Sequence, residues 1–107
     1  MNSERLDQLL DFQKDDPNDP FIIYAIATEY SSTNAEKALE YYELLLAQHA
    51  DYLATYYHAA KLYADLEESE KAELTFKKGI ALARSQNESL ALRELQNAYN
   101  EFLFEDE

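Results

Sequence analysis

Cysteine is absent from the 107 residues, glycine occurs once and proline twice. Without cysteine there are no disulfides, no thiol chemistry and no cysteine-held metal. A single glycine, Gly79, leaves nothing from which to build a phosphate-cradling loop, and so few chain-breakers argue against a hairpin-rich β fold. Cations are scarce as well: nine Lys and Arg stand against 22 Asp and Glu, a net charge of −13. That acidic field argues against nucleic-acid backbones and anionic membranes as partners. No window approaches the roughly 20 apolar residues needed to cross a bilayer. Near the N-terminus, Leu6, Leu9, Leu10 and Phe12 are interrupted by Asp7, Gln8 and Asp11, so the continuous apolar core of a secretory signal is missing. The expectation is a cytoplasmic protein.

What is present is helix-forming. Apolar types make up 47% of the chain and charged types 29%, with Ala, Leu, Glu and Lys abundant and β-branched residues few. A chain this short buries roughly two thirds of the surface that it exposes unfolded, enough for one modest core and one domain, residues 1–107. Leu6, Leu9 and Leu10 stripe a first helix over residues 3–14. Asp15-Asp16-Pro17-Asn18-Asp19 ends it, and Asp19 is placed to cap a second helix with Pro20 at its first position. That aspartate run lacks the glycine and the closing glutamate of a calcium loop, and Pro17 breaks the ligand spacing, so it reads as a cap and turn. Further helices are expected over residues 21–30, 36–48, 52–64 and 69–85, and from 87 or 88 to 104. Short polar turns separate them, and the last residues, Glu105-Asp106-Glu107, read as a frayed acidic end.

The helices repeat. Glu36-Lys37-Ala38 returns 34 residues later as Glu70-Lys71-Ala72, and at the same shift Tyr42 answers to Phe76 and Leu46 to Ile80. In the preceding helices the shift is 33, pairing Tyr24 with Tyr57, Ala27 with Ala60 and Tyr30 with Tyr63. A helix pair recurring at this period is a stacked solenoid, each unit burying its apolar face on the next. Ala27, Ala38, Ala60, Ala72 and Gly79 are small where helices approach closely; Tyr30, Tyr42, Tyr63 and Phe76 are large and fill the gaps beside them.

On these residues the chain resembles the tetratricopeptide repeat family. The second unit carries the size pattern as Tyr56, Ala59-Ala60 and Tyr63, then Ala72, Phe76 and Gly79. The first carries it as Ile23, Ile26-Ala27 and Tyr30, then Ala38, Tyr42 and Leu45. Leu95, Ala98 and Tyr99 fit a looser third start with no partner helix after it. Ala50 replaces the family's proline, and Asn34 or Glu67 stands where glycine closes the inter-helix turn. The resemblance implies an all-α, antiparallel helix-hairpin solenoid: an N-terminal helix at 3–14, repeats at 20–49 and 52–85, and a C-terminal capping helix at 88–104.

The resemblance also implies a non-enzymatic module that binds a peptide or protein segment in its concave groove. Carried over by position, the groove residues are Phe21, Tyr24, Ala25 and Thr28 on the first unit and Ala54, Tyr57, His58 and Lys61 on the second. Leu90, Arg93 and Asn97 follow on the last helix. In that arrangement Lys61 and Arg93 hold an acidic group or a C-terminus. Tyr24 and Tyr57 read equally as packing residues, and Lys61 and Arg93 equally as solvated cations beside acids. The two-carboxylate clamp of chaperone-binding relatives wants a cation at Tyr24 and an asparagine at Thr28, so that ligand is not implied.

Two histidines, His49 at a helix end and His58 beside Tyr56-Tyr57, supply neither a catalytic set nor a metal-ligand pair. No cofactor is expected. The other reading is self-association as a weak homodimer, with Phe102, Leu103 and Phe104 either sealing the last helix in cis or burying against a second copy.

Overall fold

The computed structural model describes residues 3–105; Asp106 and Glu107, assigned above to an acidic tail, lie outside them. The described residues form six helices: α1 (Ser3–Asp15), α2 (Pro20–Tyr30), α3 (Ala35–Gln48), α4 (Ala54–Asp65), α5 (Ser69–Ser85) and α6 (Ser89–Glu105). The fold class is all-α, built from antiparallel helix hairpins, as the periodicity predicts. Two compact units divide the chain, one ending at Tyr52 and the other beginning at Leu53.

In the first unit α2 and α3 form a hairpin and α1 packs on α2. Asp19 accepts a hydrogen bond from the backbone N–H of Phe21 at 2.9 Å, with Pro20 at the first helical position, so the predicted cap is in place. Asn34 caps α3 through the N–H of Lys37 at 3.1 Å. It stands at φ −147°, so the turn places a cap where the family pattern places glycine. Ile23, Ile26, Ala27, Ala38, Tyr42 and Leu45 are the buried interior of the hairpin. Leu6 and Leu9 of α1 close over Ala25 and Ile26, and Arg5 reaches Glu29 at 2.6 Å. Tyr30, expected as a core filler, is only half-buried and stacks on Tyr41 at 5.9 Å beside that cluster.

In the second unit α4 and α5 form the equivalent hairpin and α6 packs on both. Tyr56, Ala59, Ala60, Tyr63, Ala72, Phe76 and Gly79 are all buried, the set that the repeat marks out. Leu95 and Phe102 of α6 complete this core, with the Phe102 ring 5.6 Å from that of Phe76.

The starts of α4 and α6 fall later than expected, and α3 begins one residue earlier. α4 begins at Ala54 rather than at Tyr52: the Tyr52 N–H turns back to the His49 carbonyl at 2.9 Å. The Tyr52 ring lies 5.8 Å from that of Tyr24. α6 begins at Ser89 because Asn87 takes φ 58° to end α5.

Candidate partner-binding site

The face expected on α2 divides between solvent and core. Phe21 is exposed at its N-terminal end, 59% accessible despite its apolar ring. Tyr24 is half-buried between the rings of Tyr42 at 6.5 Å and Tyr52 at 5.8 Å. One turn on, the Thr28 hydroxyl donates to the Tyr24 carbonyl at 2.9 Å and lies 3.2 Å from the Tyr42 hydroxyl. Its one proton being committed to the carbonyl, the Tyr42 O–H is the donor of that second bond. Burial pushes the Tyr42 pKa up, and its hydrogen bond with Thr28 works in the opposite direction. Thr28 therefore satisfies the hydroxyl of a core tyrosine, and little of its own capacity is left for a ligand. Ala25, expected on the same face, is instead buried under α1 with Leu6 and Leu9, because α1 needs an apolar seat and takes this side of α2.

The face on α4 is better assembled. Ala54 is exposed at its start, and Tyr57, His58 and Lys61 follow at the spacings that share one side of a helix. Tyr57 and His58 are half-buried and meet edge to face, ring centroids 5.4 Å apart. The Lys61 ammonium lies 3.4 Å from the Tyr57 hydroxyl and 5.1 Å from the ring centroid, a cation–π position. Burial depresses the His58 pKa below its usual value, and the nearby Lys61 charge adds to the effect. At neutral pH the imidazole is uncharged.

Lys61 also lines a crevice of about 230 Å³ between α4 and α6, floored by Phe76 and Phe102 and rimmed by Asp65, Glu101 and Glu105. The sequence pattern gives none of the three a part in a site and places Glu105 in a frayed end, whereas Glu105 closes α6 and lines the crevice; the one-turn spacing of Glu101 and Glu105 could have shown them. Leu90, Arg93 and Asn97 are exposed and do not line this crevice. The structure thus brings Lys61 together with Tyr57 and His58, not with Arg93 or Asn97, and the cation pair expected to grip one acidic group is not assembled there. The cause is the rotational setting of α6. With Leu95 and Phe102 turned into the core, Ala98, Glu101 and Glu105 face α4. Asn97 lines a separate furrow against α5.

Among the described residues no group of His, Asp and Glu is placed to hold a metal ion, and no helix is long and apolar enough to cross a membrane.

No protein-family model and no curated protein matches the chain. Solved structures do. A solution NMR structure of a tetratricopeptide repeat domain protein from Salinibacter ruber is 41% identical, covering 81% of this chain and 89% of that one, with a TM-score of 0.76. A crystal structure of a tetratricopeptide repeat domain protein from the same organism is 40% identical, covering 78% and 96%, with a TM-score of 0.75. Identity at that level over about four fifths of this chain, on the hairpins described above, places it in the tetratricopeptide repeat family of non-enzymatic protein-interaction modules.

Proposed function

We propose that the chain holds a peptide or protein segment against the exposed side of α4, with Tyr57, His58 and Lys61 as the anchor. The observation that carries this reading is the α4 set itself. Two half-buried aromatic rings and a cation occupy one helix face, and the cation is directed at a tyrosine rather than at any carboxylate. Aromatic and cationic side chains are those that concentrate interface energy. Thr28 is a structural residue on this reading. The partner is a protein; nucleic acid and anionic membrane are disfavoured by the charge of −13.

The test pairs stability with capture. Tyr57→Ala combined with Lys61→Glu should abolish retention of a partner from the host's soluble extract while shifting the unfolding free energy by less than about 1 kcal/mol. A large stability loss would place Tyr57 in the core and remove it from the site. Equal retention by the variant and the intact chain would move the site off α4.

Self-association is the second reading, and Phe104 favours it: the ring is 80% accessible beside a partly exposed Leu103, although Phe102 is buried in cis. A weak homodimer through this end would show in light scattering as a mass rising with concentration and falling for Phe104→Ser.

A further inference from the structure

In a chain with more than twice as many acids as cations, one furrow has the opposite character. It lies between α5 and α6, about 570 Å³ in volume. Lys77 and Arg84 stand two turns apart on the α5 wall, with Ile80 and Ala81 between them; Gln96, Asn97, Tyr99 and Asn100 form the α6 wall. Two cations, three side-chain amides and a phenol line it, and among the described residues no carboxylate does. Arg93 lies on α6 one turn before Asn97, at the spacing that continues the same wall. Arg84 is exposed and makes no ion pair among the described residues. Lys77 is held at the mouth by the Glu73 carboxylate at 3.0 Å, which lies outside the furrow on the preceding turn.

We propose that this furrow is a second docking site, for an acidic segment of a partner protein whose Asp or Glu side chains pair with Arg84 and Lys77. Charge complementarity favours that occupant: two of the nine cations of a chain with 22 acids line this one furrow. Arginine offers two parallel donors to a carboxylate, and the amides of Gln96, Asn97 and Asn100 supply donors for its remaining lone pairs and for the segment's backbone carbonyls. The apolar stretch at Ile80 and Ala81 seats the segment's stem. A second copy of this chain would bring a charge of −13 along with any acidic segment, so the occupant is a different protein whose acid is confined to the docking segment. Glu73 occupies Lys77 when the furrow is empty and must release it on binding. The site is independent of the α4 anchor proposed above.

The probes are three mixtures of short labelled peptides, with Glu, Gln or Lys fixed at alternate positions and Ala, Leu, Ser and Tyr mixed between. Anisotropy with the full chain measures affinity, and amide chemical shifts locate it. The Glu mixture should bind at least about tenfold more tightly than the Gln and Lys mixtures at low salt, with shifts confined to α5 and α6. Arg84→Gln should weaken it by about tenfold, and Lys37→Gln on α3 should not. Glu73→Gln should strengthen it severalfold by freeing Lys77, a gain that a folding defect does not produce.

The proposal is overturned if the Glu mixture binds no better than the Gln mixture, or if Arg84→Gln and Lys37→Gln weaken it equally. It is overturned too if an oligouridylate binds more tightly than the Glu mixture, or if the shifts fall on Tyr57, His58 and Lys61. That last result would leave the α4 site standing as the sole one. Loss of partner capture in the Tyr57/Lys61 variant with unchanged binding in the furrow would separate the two in the other direction.

Discussion

At Gly79 a methyl group would arrive 2.6 Å from the Cβ of Tyr56 and 3.2 Å from a methyl of Leu95. The contact is with a Cβ fixed to the α4 backbone, so no rotamer change relieves it. Alanine is the better helix former by about 1 kcal/mol, while overpacking costs typically about 1–3 kcal/mol. The clash wins here because the helices themselves must part. Gly79→Ala should lower the urea unfolding free energy by about 1–2 kcal/mol; an unchanged or raised midpoint would show that α4 and α5 yield easily. The equivalent position of the first hairpin holds Leu45, fully buried, so the two hairpins follow one size pattern without being interchangeable. Gly79 was legible in the sequence as a close-approach residue because the repeat placed it opposite a large one.

His58 carries a prediction at the same scale. Its folded pKa lies below the usual value, chiefly through burial, so on acidification the unfolded chain takes up the proton first. Stability is therefore complete above about pH 6.5 and declines as pH falls below it, until the folded-state pKa is passed. The urea midpoint should drop across that window, and His58→Gln should flatten the slope there. A profile unaltered by the substitution would mean that the imidazole is solvated in both states. The depressed pKa was not legible: His58 read as groove lining or plain surface, and its half-burial depends on packing that no local pattern encodes.

The helices end in ways that the sequence disclosed only in part. α4 closes through two bonds, Glu67 N–H to the Ala64 carbonyl at 3.0 Å and Glu68 N–H to the Tyr63 carbonyl at 2.8 Å. α5 closes in the same manner through Asn87 and Glu88. Both arrangements put one residue in the left-handed region, Glu67 at φ 62° and Asn87 at φ 58°. Asparagine tolerates that conformation, whereas for glutamate it costs about 1–2 kcal/mol. Glycine would remove the strain at a smaller entropic cost of roughly 0.5–1 kcal/mol. Glu67→Gly should accordingly raise the unfolding free energy by about 1 kcal/mol, with Asn87→Gly giving a few tenths at most. Calorimetry on the two variants distinguishes them, and a loss of stability at Glu67→Gly would mean that its side chain contributes an interaction worth more than the strain. The family pattern flagged Glu67 as sitting where glycine is usual, which was correct in conformation. It flagged Asn34 on the same ground, and there an N-cap serves instead. Capping residues are read from their own chemistry, but which of two turn conformations forms depends on the geometry of both flanking helices.

On the scale of the whole molecule, the fold class followed from periodicity and from a repeat that supplies its own internal check. The last helix did not. Its register to the repeat was loose, and a rotation of one residue, about 100°, moves every side chain to another face. Burial of Leu95 and Phe102 fixes that rotation, directing Glu101 and Glu105 toward α4 and Asn97 toward α5. Long-range charge acts on the molecule in two opposed ways. A net charge of −13 on a chain this small repels itself, most strongly when compact, and added salt screens it. The thermal midpoint should therefore rise as sodium chloride goes from about 0.02 to 0.5 M, where the Debye length falls to a few ångströms. Potassium chloride should act equally, and a chain with Glu36, Glu40 and Glu43 changed to Gln should respond less. Docking through Arg84 and Lys77 has the other sign, since salt weakens exposed ion pairs. Loss of an acidic peptide at high salt, in the range where the midpoint is rising, would thus be an effect on the ion pairs alone, because unfolding moves in the opposite direction.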